Sequence, residues 1–270
     1  MNPANDENGP LTGPETESHA WFSRLPGQHI LASELEVMAE LLPDLFGYHL
    51  LFVGASPYVT LVESSRIQFA SFIDTRIDTG PAPATAVGTA LPMVHASADD
   101  LPVSGDSIDV VVMPHVIEFQ ERPHDALREA ERVLVPDGHL VLAGFNPFGF
   151  MGFWRALKRR REQPWNGQFF SLRRVKDWLA LLGFDIVKVQ HRFFRPPVGS
   201  ERLLAKVGAL EKIGQRGWPY LGGTYVILAR KRLTTVTPIR TRWRPRRLVS
   251  VGLAEPAPRS ADQVGRVEHD

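Results

Sequence analysis

The chain has 270 residues, 43% hydrophobic and 23% charged, with a formal net charge of +1; it can bury one sizeable α/β core with extensions, or two small ones. Cysteine is absent, which excludes disulfides, thiolate metal sites and cysteine nucleophiles. The polar, acidic start MNPANDENGPLTGPETES has no basic stretch followed by an apolar one, and no later apolar run approaches the length of a membrane span, so we expect no transmembrane segment and a soluble, cytoplasmic protein.

Residues 1–18, rich in Asn, Glu, Pro and Gly, read as a disordered leader. Leu31, Leu35, Met38, Leu42 and Leu45 then recur at helical spacing and predict an amphipathic helix, limited by Pro43 and extended in its cover by Trp21 and Phe22. Leu50 to Val53 predicts a first strand that ends in Gly54-Ala55-Ser56-Pro57. A short helix separates it from a second strand at Phe69 to Ile73, and Thr79-Gly80-Pro81-Ala82-Pro83 is loop by composition before a third strand at Met93 to Ala96. Ile108 to Met113 is Val-rich and continuously apolar apart from Asp109, which suits a strand buried on both faces. Pro123 opens the next helix, where its missing N–H costs least. Leu127, Ala130, Val133 and Leu134 form the apolar side, with Arg128, Glu129, Glu131 and Arg132 opposite, until Pro136-Asp137-Gly138 turns the chain into a fifth strand beginning at Leu140 to Ala143. An aromatic and basic insert occupies residues 146–168. Ser171 caps a helix carrying Leu172, Val175, Trp178, Leu179 and Leu182 and closed by Gly183. Phe184 to Val189 and Tyr225 to Ala229 predict the last strands, and residues 248–270 read as a disordered tail, leaving a single main domain over 19–247.

The segment Ser107 to Pro147 carries a resemblance. Asp109-Val110-Val111, Glu129 to Leu134 and Pro136-Asp137-Gly138-His139-Leu140 resemble the fourth and fifth strands, with their connecting helix, of class I S-adenosylmethionine (SAM) dependent methyltransferases of the type-11 domain family. Asp99-Asp100-Leu101-Pro102 resembles the acidic-Leu-Pro element after that family's third strand. The close match covers residues 94–147. The resemblance implies an α/β fold: a seven-stranded, mostly parallel, Rossmann-like sheet with helices on both faces and an antiparallel last strand. It also implies SAM as cofactor and methyl transfer to an acceptor the sequence does not name.

In open α/β sheets ligands sit outside the carboxyl ends of the strands, at the topological switch point. The family's glycine-rich turn aligns with Gly54-Ala55-Ser56-Pro57-Tyr58. Gly54 matches, whereas Phe52 stands at the family's acidic position and Ser56 and Tyr58 stand where glycine is usual. Gly54, Ala55 and Ser56 are therefore the candidate loop against the cofactor, and a bulky residue at Gly54 is expected to abolish SAM binding without unfolding the chain. Asp74, 20 residues after Gly54, is the candidate ribose acceptor, with Asp78 its rival and a solvated loop carboxylate beside Arg76 the alternative. Ser97, at the family's acidic position, and Asp99 are candidates near adenine. Met113 and His115 follow the fourth strand and are expected to line the pocket between cofactor and substrate, Met113 as a cofactor contact. His115 is the candidate catalytic base because an unperturbed imidazole takes a proton near neutrality; the alternative is a hydrogen-bonded structural histidine. His95 is a weaker candidate base. No metal ligands are predicted.

The charge is strongly divided. Residues 1–150 hold 6 basic and 21 acidic residues, 151–247 hold 23 and 5, and the tail holds 2 and 4. The basic segment 151–247, with Lys158-Arg159-Arg160-Arg161 and the arginines from Arg240 to Arg247, predicts a face able to attract RNA or an anionic surface; pairing of the two halves across the fold is the alternative. The aromatics of the insert, Phe148, Phe150, Met151, Phe153 and Trp154, fit a substrate lid, an RNA face or an interfacial helix. The second functional reading is thus a catalytically inactive methyltransferase-like scaffold that binds RNA or a protein through its basic half. A membrane-surface enzyme acting on a lipid or quinone-like substrate is a third.

Overall fold

The computed structural model describes residues 22, 25, 27–54, 56–75, 91–157, 167–194 and 219–232. The chain divides into units at residues 1–234 and 235–270, and every described residue belongs to the first. The leader, the tail, Ala55, Asp78, the loop at 79–83 and both basic runs lie outside the described residues, as does the side chain of Ser56.

Seven strands form one sheet: β1 (His49–Val53), β2 (Phe69–Asp74), β3 (Met93–His95), β4 (Ile108–Pro114), β5 (Leu134–Phe145), β6 (Phe184–Arg192) and β7 (Thr224–Lys231), in the order β3-β2-β1-β4-β5-β7-β6. The first five strands run parallel, and β7 is antiparallel to both β5 and β6. The order reverses between β1 and β4, which makes their carboxyl ends the switch point.

The continuous apolar run in β4 is explained by cover on both sides. Val111 and Met113 pack with Ala126, Leu127, Ala130 and Val133 of α2 (Pro123–Val133) and with Val175 and Leu179 of α4 (Leu172–Leu181). Val110 and Val112 face the other way, onto Val37, Met38 and Leu41 of α1 (Gly27–Leu41). The two-residue alternation of a strand thus feeds two cores.

Most boundaries fall where local chemistry predicts them. Pro123 occupies the first turn of α2, and the Ser171 hydroxyl accepts from the Arg174 amide at the start of α4. Gly183, at φ 83°, ends the descent from α4. The short helix after β1 is a 3-10 stretch, Ser56–Ser64. Two expectations change. α2 stops at Val133, because Leu134 already pairs with Ile108 of β4, and the Pro136-Asp137-Gly138 turn becomes an irregularity inside a longer β5. In α1 the buried stripe is Ile30, Glu34, Val37, Met38 and Leu41, whereas Leu31 and Leu35 are only half-buried. The helix is rotated from its Leu stripe, and a carboxylate enters the core.

Asp109, the polar interruption in β4, joins strands at the amino end of the sheet. Its Oδ2 accepts from the Tyr48 amide at 2.8 Å and the His49 amide at 2.9 Å. Replacing Asp109 by Ala leaves both donors to water and is expected to lower stability by about 1–2 kcal/mol, read as a lower urea midpoint with an unchanged slope.

Candidate functional site

The carboxyl ends of β1, β2, β4 and β5 bring the candidates to one end of the sheet. Gly54 follows β1 at φ 98°, and its amide donates to the Ile73 carbonyl of β2 at 2.9 Å. A Cβ on Gly54 would stand 2.6 Å from Val116 Cγ2. Glycine is favoured here by both backbone and packing, so a bulky residue is expected to cost stability as well as cofactor affinity. Asp74 ends β2, fully buried, opposite His95 of β3. Ser97 and Asp99 are exposed and hydrogen-bonded to each other, the serine hydroxyl donating. Met113 is fully buried in the core beneath α2 and α4, so its side chain is a packing element.

His115 is the most constrained candidate. Its amide continues the ladder by donating to the Ala143 carbonyl at 3.0 Å, yet its φ of 53° is left-handed, a conformation uncommon outside glycine. The imidazole is 3% exposed and stacks on Phe145 with ring centroids 4.0 Å apart. Nε2 lies 3.0 Å from Glu34 Oε2, and Nδ1 lies 3.2 Å from Glu118 Oε1. The Tyr58 hydroxyl donates to the same Glu34 oxygen, and the Phe145 amide donates to Glu118 Oε1 at 2.9 Å. Glu118 Oε2 and Thr224 Oγ1 are buried without a hydrogen-bond partner among the described residues.

The electrostatics follow from this enclosure. Burial on its own pushes the imidazole pKa down, but the charges and hydrogen bonds of Glu34 and Glu118 together outweigh it and hold His115 at about 9. Burial, then the Glu34 charge, pushes the Tyr58 phenol well above its usual 10, so the phenol remains a donor. At neutral pH His115 is therefore a cation clamped between two carboxyl groups, with both nitrogens engaged. That geometry is the one a hydrogen-bonded structural histidine would have, and it raises the pKa away from the ordinary value on which the neutral-base expectation rests.

Three of the four members of this network lay outside the sequence-based candidate set. Glu34 could have been found as the one charged residue on the Ile30, Val37, Met38, Leu41 stripe. Tyr58 was legible only as a replacement for glycine. Glu118, three residues after His115, gave no local signal.

This architecture, a seven-stranded sheet of order β3-β2-β1-β4-β5-β7-β6 with helices on both faces, is the class I methyltransferase fold. The family described as a methyltransferase domain matches residues 72–142, from β2 into β5. Among solved structures, the chain is similar to a SAM-dependent methyltransferase from Thermotoga maritima, described as a possible histamine N-methyltransferase, at 20% identity and a TM-score of 0.58, covering 80% of this chain and 95% of that one. It is similar to a chain in the complex between the Haloferax volcanii Trm112 methyltransferase activator and a putative methyltransferase, at 16% identity and a TM-score of 0.56, covering 82% of this chain and 98% of that one. Among curated proteins it is 36% identical over 147 residues to the uncharacterized protein YafS of Escherichia coli K12, and 26% identical over 117 residues to the uncharacterized protein MJ1123 of Methanocaldococcus jannaschii. These matches take in 53% and 43% of this chain, and 57% of the length of each relative. Among the described residues no helix is long and apolar enough to cross a membrane, and no group of three or more metal-ligating side chains could hold an ion.

Proposed function

We propose that the protein is a SAM-dependent methyltransferase acting on an acceptor still to be identified. The observation that supports it best is the strand-end arrangement at the switch point: a left-handed Gly54 at the end of β1 and a buried carboxylate, Asp74, at the end of β2. A glycine turn lets the backbone approach a ligand, and an acidic residue at the second strand end suits ribose hydroxyls. Gly54, Ala55 and Ser56 would line the cofactor, with Asp74 at the ribose and Ser97 and Asp99 on the adenine side. When bound, SAM supplies an electrophilic methyl group. What this reaction asks of the chain is mainly orientation of the reactants, so a charged, immobile His115 is compatible with it. The network holds the turn after β4 where an acceptor would lie.

Titration calorimetry with SAM and with S-adenosylhomocysteine tests the reading. Micromolar binding is expected, weakened at least tenfold by Asp74→Ala, the loss appropriate to about 1.5–3 kcal/mol for a charge-assisted hydrogen bond. No binding to folded wild-type protein would overturn it.

A second reading, a non-catalytic scaffold that binds RNA or a protein through the basic half, is favoured by one observation. Tyr58 stands where the family has glycine and is wholly buried against Glu34, which commits that position to the core. Absence of cofactor binding together with salt-dependent RNA affinity would select this reading.

A further inference from the structure

We infer that Glu118 and Thr224 form a subsite for an amine carried on an apolar body, and that this amine is the methyl acceptor; the role as acceptor rests on the methyltransferase reading. Two buried oxygens at this end of the sheet, Glu118 Oε2 and Thr224 Oγ1, have no hydrogen-bond partner among the described residues. Buried polar atoms are nearly always satisfied, so two orphans at one place call for a donor that the chain does not supply. Both border Phe145. The Phe145 amide donates to the other Glu118 oxygen at 2.9 Å, and Thr224 is the cross-strand partner of Phe145 in the β5–β7 ladder. Directly opposed residues of an antiparallel pair share a face, with their Cβ atoms roughly 4.5–5.5 Å apart.

Charge selects the donor. Ionised, Glu34 and Glu118 place two negative charges in the enclosure, and His115, cationic at neutral pH, returns one positive. Both imidazolium nitrogens are already engaged, with Glu34 Oε2 and Glu118 Oε1, and the Tyr58 hydroxyl is engaged by Glu34. Among the described residues neither carboxyl pairs with a Lys or Arg. The enclosure is therefore one cation short, at the oxygen that has no partner. An ammonium group supplies both the positive charge and N–H donors for Glu118 Oε2 and Thr224 Oγ1. A neutral hydroxyl supplies a donor without the charge, and a carboxylate adds to the excess. The surroundings suit an apolar body: Phe22, Ile30, Phe145, Phe193 and Met151 of α3 (Phe150–Leu157) form one buried cluster, and Phe169 stacks on Phe145 with ring centroids 5.1 Å apart. The two oxygens are closed off from solvent, so entry requires side chains to move aside, a common accompaniment of binding.

Titration calorimetry of the full chain, saturated with S-adenosylhomocysteine, against phenethylamine, 2-phenylethanol and phenylacetate tests the subsite, because the probes share a ring and differ in the terminal group. Phenethylamine is expected to bind at least about tenfold more tightly than 2-phenylethanol, and phenylacetate not to bind. Glu118→Gln keeps the size of the side chain, removes its charge and should weaken phenethylamine binding at least about tenfold; a purely packing role would not separate amine from alcohol. Thr224→Val should weaken it about threefold and carries the same comparison should Glu118→Gln unfold. Repeating the amine titration without the nucleoside separates failure of the subsite from failure of the methyltransferase reading, since amine and SAM binding are then read independently. Equal binding of amine and alcohol, no amine binding, or undiminished amine binding by the folded variants would overturn the inference. A folded Glu118→Gln that loses SAM affinity as steeply as amine affinity would also overturn it and assign the missing cation to the cofactor.

Discussion

Replacing His115 by Leu is expected to lower folding stability by about 3–5 kcal/mol, because it strands two buried carboxyl groups that the imidazolium now faces. The effect exceeds that of an ordinary core substitution for a geometric reason: Glu34 and Glu118 approach opposite nitrogens of one ring, so a single change removes the partner of both. A pH dependence accompanies it. His115 is held at about 9 in the folded protein against an ordinary 6.5, so the folded state binds the proton more tightly than the unfolded chain. The resulting stabilisation is complete below about pH 6.5 and is lost as pH rises through 9; a shift of that size corresponds to about 3 kcal/mol. Thermal melts of the wild type should therefore fall between pH 6.5 and 9.5, and His115→Leu should lack that component. Glu34→Gln keeps an acceptor for Tyr58 but removes the charge that raises His115 most, so the window should move to lower pH. A flat wild-type profile would show that the imidazole is not clamped as described.

Gly54→Ala is expected to cost roughly 2–4 kcal/mol, the sum of left-handed backbone strain in a residue with a Cβ and overpacking against Val116. The two contributions are separable. Gly54→Ala/Val116→Ala removes the 2.6 Å contact while leaving the φ of 98°, so it should regain only part of the loss in urea unfolding. Calorimetry at a temperature where Gly54→Ala remains folded should also show SAM affinity reduced at least tenfold, because the new Cβ displaces the turn after β1. Wild-type stability with lost affinity would place the Gly54 side of the turn open to ligand. Wild-type stability with wild-type affinity would remove Gly54 from both roles.

The network also bears on why the glycine pattern is incomplete. Tyr58 fills the position of an expected glycine and its hydroxyl is bonded to Glu34, which in turn faces His115. A glycine there would leave Glu34 without one of its donors. The departure from the family pattern is thus tied to a buried arrangement.

The strands and most helix ends were determined by the sequence itself, because the forces that define them are local. A continuous Val run specifies a doubly covered strand, Pro123 and Ser171 start helices through their own backbone and side-chain chemistry, and Gly183 tolerates the left-handed turn that ends one. The positions of Gly54 and Asp74 at strand ends were legible for the same reason. Other features were decided by tertiary structure. Which stripe of α1 faces inward depended on Glu34 meeting His115, 81 residues away in sequence, and the end of α2 was set by pairing of Leu134 with Ile108 of β4. The charge state of His115 belongs to the same class, since burial and Coulomb interaction depend on distances that spacing along the chain does not contain.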